Sequence, residues 1–485
     1  MTDPLMKVRL DHLENLKAHG IDPYPARLPA VEPIGGVVER HADDGPDEHV
    51  AIAGRLVSFR RMGKASFFDL RDGTGKIQVH ATVDRLGEEG YSLLCESDIG
   101  DFLSVSGPVF RTKRGELTVG AEEWTFLAKA IRPLPEKWHG LKDVELRHRH
   151  RFLDLIANRS TRERFLLRSR MISSIRGFLD RQGFVEVETP TMQPIAGGAL
   201  ARPFITHHNA LDIDLYLRIS LELYLKRLLV GGIDRVYEIG KCFRNEGIST
   251  EHNPEFTMLE VYQAYSDYEG MMELAEGLVT ESLKETLGGL VIERGGEKID
   301  FSPPWRRVRM FDAVEDATGI DVSSLSADEI TKAASSKGIE LPEAEAGRLV
   351  EELFERFVEP ALIRPTFVYD YPASISPLAK RSSKDERIVE RFELFAYGME
   401  LANAFTELND PIDQRERFER QQRLREGGDE EAHRMDEDFL FALEHGMPPA
   451  GGMGIGIDRL AMLYTGAESI RDVILFPTLR GRGER

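Results

Sequence analysis

An α+β chain is expected, with a small closed barrel of strands followed by a larger domain that mixes helices and strands. Three observations predict it. Residues 51 to about 130 fall into short alternating runs separated by turn signals. From about residue 150 helical and strand patterns mix to the end of the chain. Residues 243 to 265, FRNEGISTEHNPEFTMLEVYQAY, alternate charged and apolar side chains in part, as two strands joined by a loop do.

Residues 1 to about 50 open with a helical pattern, MKVRLDHLENLKAHG, and pass into the proline- and glycine-bearing connector IDPYPARLPAVEPIGG. In the next region the runs VAIAGRLVSFRR, ASFFDLRDGTGKIQVHA, DFLSVSGPVFRTKRGELTVGA and EEWTFLAKAIRP suggest five strands. Asp72-Gly73, Thr74-Gly75 and Arg114-Gly115 mark turns between them. Five strands in about 80 residues suit an OB-fold. The segment IRPLPEKWHGLKD marks a boundary, so 131–150 reads as a linker and 151–485 as the second domain. In it, GFVEVETP is an alternating strand ending at Pro190, and Gly197 and Gly198 suggest backbone exposed to a site. LYLRISLELYLKRLLVGG holds an apolar helix with Glu222 near its start, where an acid is favourable with the helix dipole. Residues about 302 to 360 are acidic, helical in pattern and poor in strand formers, and read as a helical insertion.

The 485 residues are 41% hydrophobic and 30% charged, which is ordinary for a soluble protein with a sizeable core. The two cysteines, Cys95 and Cys242, have no metal-like spacing. The start MTDPLMKVRL lacks the apolar core of a signal peptide, and no apolar run approaches the ~18 residues that span a bilayer. A cytoplasmic location with no membrane contact is the default expectation. A net charge of −20 disfavours general phosphate binding. Residues 147 to 170 run the other way, with eight arginines against Asp154 and Glu163. They are either a local polyanion patch or a helix with a solvated basic face.

Three stretches carry chemistry. In 243–265, Arg244 and Glu246 are two apart, as are Glu260 and Tyr262, so each pair shares a strand face, with Glu251, His252 and Asn253 in the loop between. In VERFELFAYGMELANAFTELNDP, Glu393 and Glu400 lie in an apolar run, and Asn403, Phe405 and Glu407 then alternate. Such acids are costly to bury unless paired with arginines or bound to a cation such as magnesium. In GGMGIGIDRLAMLYTG, alternating glycines allow close backbone approach, Asp458 caps the following helix, and Arg459 sits in its first turn, placed to meet an anion.

Together these stretches resemble the class II aminoacyl-tRNA synthetases and, within them, the lysine-specific subgroup. GFVEVETP resembles motif 1, DRVYEIGKCFRNEGISTEHNPEFTMLEVYQAY motif 2 and GGMGIGIDRLAMLYTG motif 3, in the family's order. The subgroup's marks are GGALARPF, LELYLKRL, HNPEFTMLE, KRSSKDERIVERFELF, ELANAFTELNDP and DEDFLFALEHGMPP. The likeness runs from the barrel to RDVILFPTLR. It implies an antiparallel catalytic sheet flanked by helices, an OB-fold that binds the anticodon, and a homodimer built on motif 1. The lack of a Walker loop and of GxGxxG agrees.

The resemblance also implies roles. Arg244 and Arg459 are the catalytic arginines. ATP is held by Arg244, Glu246, His252, Asn253, Phe256 and Arg459, with Phe256 stacking on adenine. L-lysine is held by Gly198, Glu222, Arg244, Glu260, Tyr262, Asn403, Phe405 and Glu407. Gly198 and Glu222 take the α-amino group, and Glu260, Tyr262 and Glu407 take the ε-ammonium. Glu393 and Glu400 bind Mg2+ with the ATP, and Phe67 and Gln78 read the anticodon of tRNA(Lys). The residue types suit lysine independently, because a point charge on a four-carbon stem needs apolar walls and carboxylates at the far end. Activation to lysyl-adenylate needs no covalent enzyme intermediate, since placement and phosphate-charge stabilisation suffice. Two rivals are a relative that lysylates protein or charges another amino acid, and a non-catalytic tRNA-binding or regulatory paralogue. The barrel speaks against protein lysylation, and Arg244 and Arg459 against the paralogue. Leu221 stands where the family usually has proline, which predicts looser geometry at Glu222.

Overall fold

The computed structural model describes residues 4–42, 48–134, 141–428, 432, 434–479 and 481. Its contacts divide the chain into two compact units, Met1–Lys142 and Asp143–Arg485. Part of the expected linker, residues 135–140, lies outside the described residues.

The first unit begins with α1 (Pro4–Ala18) and α2 (Ile34–Arg40). Its barrel strands are β1 (His49–Met62), β2 (Ala65–Arg71) and β3 (Lys76–Thr82), then, after α3 (Val83–Leu94), β4 (Phe102–Arg111), β5 (Leu117–Gly120) and β6 (Glu123–Ala128). The order is β1-β2-β3-β5-β4-β6, and β1 also pairs with β4, which closes the barrel. Six strands form where five were expected, because both the Asp72–Gly75 and the Arg114-Gly115 turns split a run into two strands. Alternation sorts β2: Ser66, Phe68 and Leu70 are buried, while Phe67 and Asp69 face outward.

The second unit opens with α4 (Val144–Arg149), α5 (Arg151–Ala157) and the long α6 (Arg159–Arg181). Short strands follow: β7 (Val185–Glu186), β8 (Met192–Gln193), β9 (Ile205–His208) and β10 (Ile213–Leu217), then α7 (Glu222–Val230), β11 (Arg235–Phe243) and β12 (Glu255–Ala264). Next come α8 (Tyr268–Leu287), the hairpin β13 (Val291–Arg294) and β14 (Glu297–Asp300), β15 (Arg306–Arg309), α9 (Met310–Thr318), α10 (Ala327–Ser336) and α11 (Ala346–Phe357). The chain closes with β16 (Thr366–Pro372), β17 (Ile388–Ala396), β18 (Met399–Thr406), α12 (Pro411–Glu426), α13 (Glu437–Glu444), β19 (Ala450–Gly456) and α14 (Ile457–Thr465).

Eight strands form the main sheet in the order β15-β16-β17-β18-β19-β12-β11-β7. Its centre is antiparallel, and only the end pairs β15–β16 and β11–β7 are parallel. One face is the core. Leu259, Val261, Met453, Ile455, Ala402, Ala404, Phe392 and Leu394 pack there against α6, α8 and α14. The stretch expected as a helical insertion holds three helices together with β15, which belongs to the main sheet.

The motif 1 strand is shorter than expected. Only Val185 and Glu186 pair with β11, at the sheet edge. Beyond them the ladder gives way to Glu238, whose carboxylate accepts from the Thr189 backbone N–H at 3.0 Å and its hydroxyl at 2.7 Å.

The arginine-rich stretch is neither a free patch nor a plain solvated face. Arg147 and Arg151 pair with buried Asp154, Arg168 pairs with Asp458, and Arg164 lies 3.8 Å from Asp472. Much of its charge is neutralised inside the fold.

Candidate active site

The site occupies the sheet face opposite the helical core. β19 runs between β12 and β18, and its glycines lie beside the chemistry. Gly452 pairs with Tyr262 on one side and Phe405 on the other, and Gly454 with Glu260 and Asn403. One strand further, Arg391 opposes Phe405 and Glu393 opposes Asn403. Because strand side chains alternate, all six flanking residues share one face, and the two glycines form a trough between them. A Cβ on Gly452 would collide with Glu407 Oε1 and the Tyr262 ring. The glycine therefore makes room for two side chains of the pocket.

The hairpin β17–β18 places two carboxylates. Tyr397 (φ 57°) and Gly398 (φ 65°) form its two-residue turn, and positive φ at both positions matches the twist of antiparallel strands. Strict alternation from Asn403 would turn Glu400 to the opposite face. The register shifts between Leu394 and Phe395, so that Ala402 pairs with Leu394 but Glu400 with Phe395. This bulge returns Glu400 to the face of Glu393.

Gly198, Glu222, Arg244, Glu246, His252, Asn253, Phe256, Glu260, Tyr262, Glu393, Glu400, Asn403, Phe405 and Arg459 all line one cavity of about 400 Å³. Glu407 lies fully buried behind its wall, while Phe67 and Gln78 belong to the other unit. Phe67 stacks on His80 with ring centroids 4.5 Å apart, and Gln78 accepts from Thr118 at 3.1 Å.

At one end of the cavity, beside the start of α7, Glu260 accepts three hydrogen bonds. Its Oε1 accepts from Ser220 Oγ at 2.8 Å and from the Leu221 N–H at 2.9 Å, and its Oε2 accepts from the Tyr262 hydroxyl at 2.9 Å. Leu221 thus tightens the site rather than loosening it, because a proline there would have no N–H to donate. Glu222 Oε1 accepts from Lys226 Nζ at 2.5 Å. Glu407 is ion-paired to the same Lys226, the one charged partner it has among the described residues. Burial raises the pKa of Glu222, Glu260 and Glu407, and Lys226 opposes that rise at Glu222 and Glu407. Lys226 is itself raised, because the attraction of Glu222 and Glu407 outweighs its own burial. Gly198 has a φ of +87°, and a Cβ there would meet Ser220 and Glu222.

At the other end the arginines are partly engaged. The Arg244 guanidinium lies 5.1 Å from the Phe256 ring centroid. Arg244 and Glu246 fall just past β11, in the loop rather than on a strand, where the Arg244 N–H donates to Pro254 O at 2.9 Å. His252 Nδ1 bonds Ser249 Oγ at 3.0 Å, and buried Asn253 donates to Glu255 O at 2.6 Å while its Oδ1 has no partner. Arg459 Nη1 donates to Glu400 Oε2 at 2.8 Å. Asp458 does not cap its helix, which Gly456 begins. Instead its carboxylate accepts from the Thr257 N–H at 2.7 Å and Arg168 at 2.6 Å, pinning α14 to β12 and α6.

Between the two ends lies a carboxylate group. Glu393 accepts from the Tyr371 hydroxyl at 2.9 Å and from Arg391 at 2.5 Å. Burial raises Glu393, whereas Arg459, Arg391 and Arg244 outweigh the burial of Glu400 and hold it low. Glu359 faces the same acids, and burial together with Glu400, Glu393 and Glu355 pushes it up to about 7.

Lys226 and Arg391 escaped the sequence reading. Their signals were spacing: Lys226 follows Glu222 by one helical turn, and Arg391 precedes Glu393 by two strand positions. Acids drew attention there because buried acids need explaining, and the cations that explain them were passed over.

Known proteins match this arrangement along the chain. The family described as tRNA synthetases class II (D, K and N) matches residues 143–480, and an OB-fold nucleic acid binding domain matches 50–127. A protein of Moorella thermoacetica named lysine–tRNA ligase is 57% identical over 99% of this chain and 98% of its own length. One of Bacillus subtilis with the same name is 52% identical over 98% and 97%. One of Listeria monocytogenes, also so named, is 51% identical over 98% and 97%. With a sheet, a glycine-floored trough and a full-length likeness that all agree, this chain belongs to the class II tRNA synthetases of the D, K and N group.

Proposed function

We propose that the chain is a lysine–tRNA ligase: it activates L-lysine with ATP to lysyl-adenylate, releases pyrophosphate, and passes lysine to the 3′ end of tRNA(Lys). The observation that carries this reading is a group of three buried carboxylates, Glu222, Glu260 and Glu407, with Lys226 as the one cation ion-paired to them among the described residues, beside Tyr262 and the Phe405 ring. Three buried acids around one cation favour a cationic ligand group. Lysine supplies an ammonium on a stem long enough to reach them. Aspartate or asparagine would leave the acids unpaired, which gives strong discrimination.

In this reading Gly198 and Glu222 hold the α-amino group, and Asn403 with Arg244 orients the carboxylate. Phe405 lines the stem. Arg244 and Phe256 hold the α-phosphate and adenine, with Glu246, His252 and Asn253 around them, and Arg459 takes the far phosphates. The carboxylate oxygen attacks the α-phosphate in line, and the bond to pyrophosphate breaks. Arg244 and Arg459 stabilise charge on the phosphate oxygens, and the walls position the reactants. In the second step the terminal ribose hydroxyl of tRNA attacks the carbonyl and AMP leaves.

The residues also fit Mg2+. Glu393 and Glu400 share a face, and both line the cavity with Arg459 beside Glu400. Hard oxygen donors of this kind suit Mg2+ shared with ATP phosphates. When bound, Mg2+ would neutralise phosphate charge. The other unit presents Phe67 and Gln78 for the anticodon. A homodimer is supported by apolar side chains left exposed on and just after motif 1, Val185 (51%) and Met192 (55%). Among the described residues no helix is long and apolar enough to cross a membrane, and a cytoplasmic location is inferred from the proposed activity.

Amino-acid-dependent ATP–pyrophosphate exchange tests the reading. Lysine should support exchange far better than other amino acids. Exchange with another amino acid but not with lysine would sink it.

A further inference from the structure

Lys226 follows Glu222 by one helical turn on α7, so the two side chains lie on one face. It is fully buried, with Nζ 5.4 Å from the centroid of the Phe405 ring and 6.0 Å from that of Phe439. Its ammonium joins two carboxylates from different elements: Glu222 at the start of α7, at 2.5 Å, and Glu407 just past β18. In the reading above these acids take opposite ends of the substrate.

Glu222, Glu260 and Glu407 are three buried acids beside one buried ammonium, so full ionisation would leave a charge of minus two, and burial opposes it by raising all three. Arg391 acts on Glu222 from a distance but is committed to Glu393 and Asn403. Arg244 faces the substrate carboxylate, and Tyr262 is neutral, its hydroxyl donated to Glu260. Lysine brings two ammonium groups and closes the balance. A neutral side chain at 226 would leave one acid without a counter-charge and free the two acids from each other.

We propose that Lys226 is a positioning residue that tethers Glu222 to Glu407, fixing both the spacing of the two ammonium acceptors and the pocket charge, and so sets the preference for lysine over the one-methylene-shorter ornithine. The proposal rests on the assignment of this cavity to lysine. It goes further in giving the selection of chain length to a side chain that does not contact the reacting atoms.

Lys226→Met in the full-length protein, compared with the unaltered enzyme by ATP–pyrophosphate exchange with lysine and ornithine, tests it. The KM for lysine should rise about tenfold or more, with kcat within about threefold and the KM for ATP unchanged. The ratio of kcat/KM for lysine over ornithine should fall by about tenfold. A purely structural role would move kcat, both KM values and melting temperature together, with the ratio intact, and that result overturns the proposal. Should Lys226→Met fail to fold, Lys226→Arg, which keeps the charge but alters the geometry of the tether, decides by the same exchange assay. The ratio of kcat/KM for lysine over ornithine should fall with the KM for ATP unchanged. An unchanged ratio overturns it. Failure of the lysine assignment itself is distinct: the unaltered enzyme would then show no lysine-dependent exchange.

Discussion

Glu260 and Glu407 are neighbouring buried acids that are satisfied differently. Glu260 accepts three hydrogen bonds from neutral groups, and Glu407 is held by the Lys226 ammonium. The first is a pre-set wall, and the second is set by a cation. At the other end of the cavity, Glu400 shares its carboxylate with Arg459. Glu400→Gln should raise the Mg2+ concentration for half-maximal exchange by about tenfold or more, with melting shifted by only a few degrees. An unchanged magnesium titration would make Glu393 and Glu400 purely structural ion-pair partners. Cys242 gives a test of burial. Its thiol is pushed up to about 12, first by burial and then by Glu260. A folded-state pKa raised in this way favours the neutral thiol. Its contribution to stability is intact below the unfolded pKa of about 8.5 and is lost as pH rises towards 12. Iodoacetamide at pH 8 should therefore modify Cys95 in the folded protein and spare Cys242, which mass mapping of the peptides would reveal.

At the scale of elements, β19 decides the shape of the pocket. The sequence reading assigned its alternating glycines to close approach by a ligand. The structure assigns Gly452 to the approach of Tyr262 and Glu407. Gly452→Ala should fold with a loss of about 1–3 kcal/mol and depress lysine-dependent exchange at least ~100-fold. Gly456→Ala, whose Cβ would meet only Arg459 side-chain carbons at 3.6 Å or more, should do far less harm in the same melting and exchange assays. The β18 bulge was not legible beforehand. Period-two alternation predicts one face for Asn403, Phe405 and Glu407 but says nothing of an added residue at Leu401. The hairpin turn at Tyr397-Gly398 was legible in principle, since glycine there supplies the positive φ such turns demand, and it was missed because the surrounding apolar run drew the eye to its acids.

For the whole molecule, two units divide recognition from chemistry. Phe67 lies outward on the barrel while Phe68 is buried, an ambiguity that only the folded strand resolves. Phe67→Ala should weaken tRNA charging through KM for tRNA by the equivalent of about 1–3 kcal/mol and leave lysine-dependent exchange untouched. A parallel loss of exchange would argue against an anticodon role. The exposed apolar side chains near motif 1 predict association. Val185→Asp should shift the protein from dimer to monomer in light scattering, and an unchanged mass would place the interface elsewhere.

The sequence by itself determined the family, the barrel-then-sheet order, and which residues lie in the three motif stretches, because these depend on local pattern and short-range spacing. It also showed that acids had to be explained. Only the tertiary structure decided how they are. Lys226 joins Glu222 to Glu407, which are 185 residues apart, and a bulge returns Glu400 to the face of Glu393. Partner choice among buried charges depends on which strands become neighbours, and that is settled by packing of the whole sheet rather than by any local run of residues.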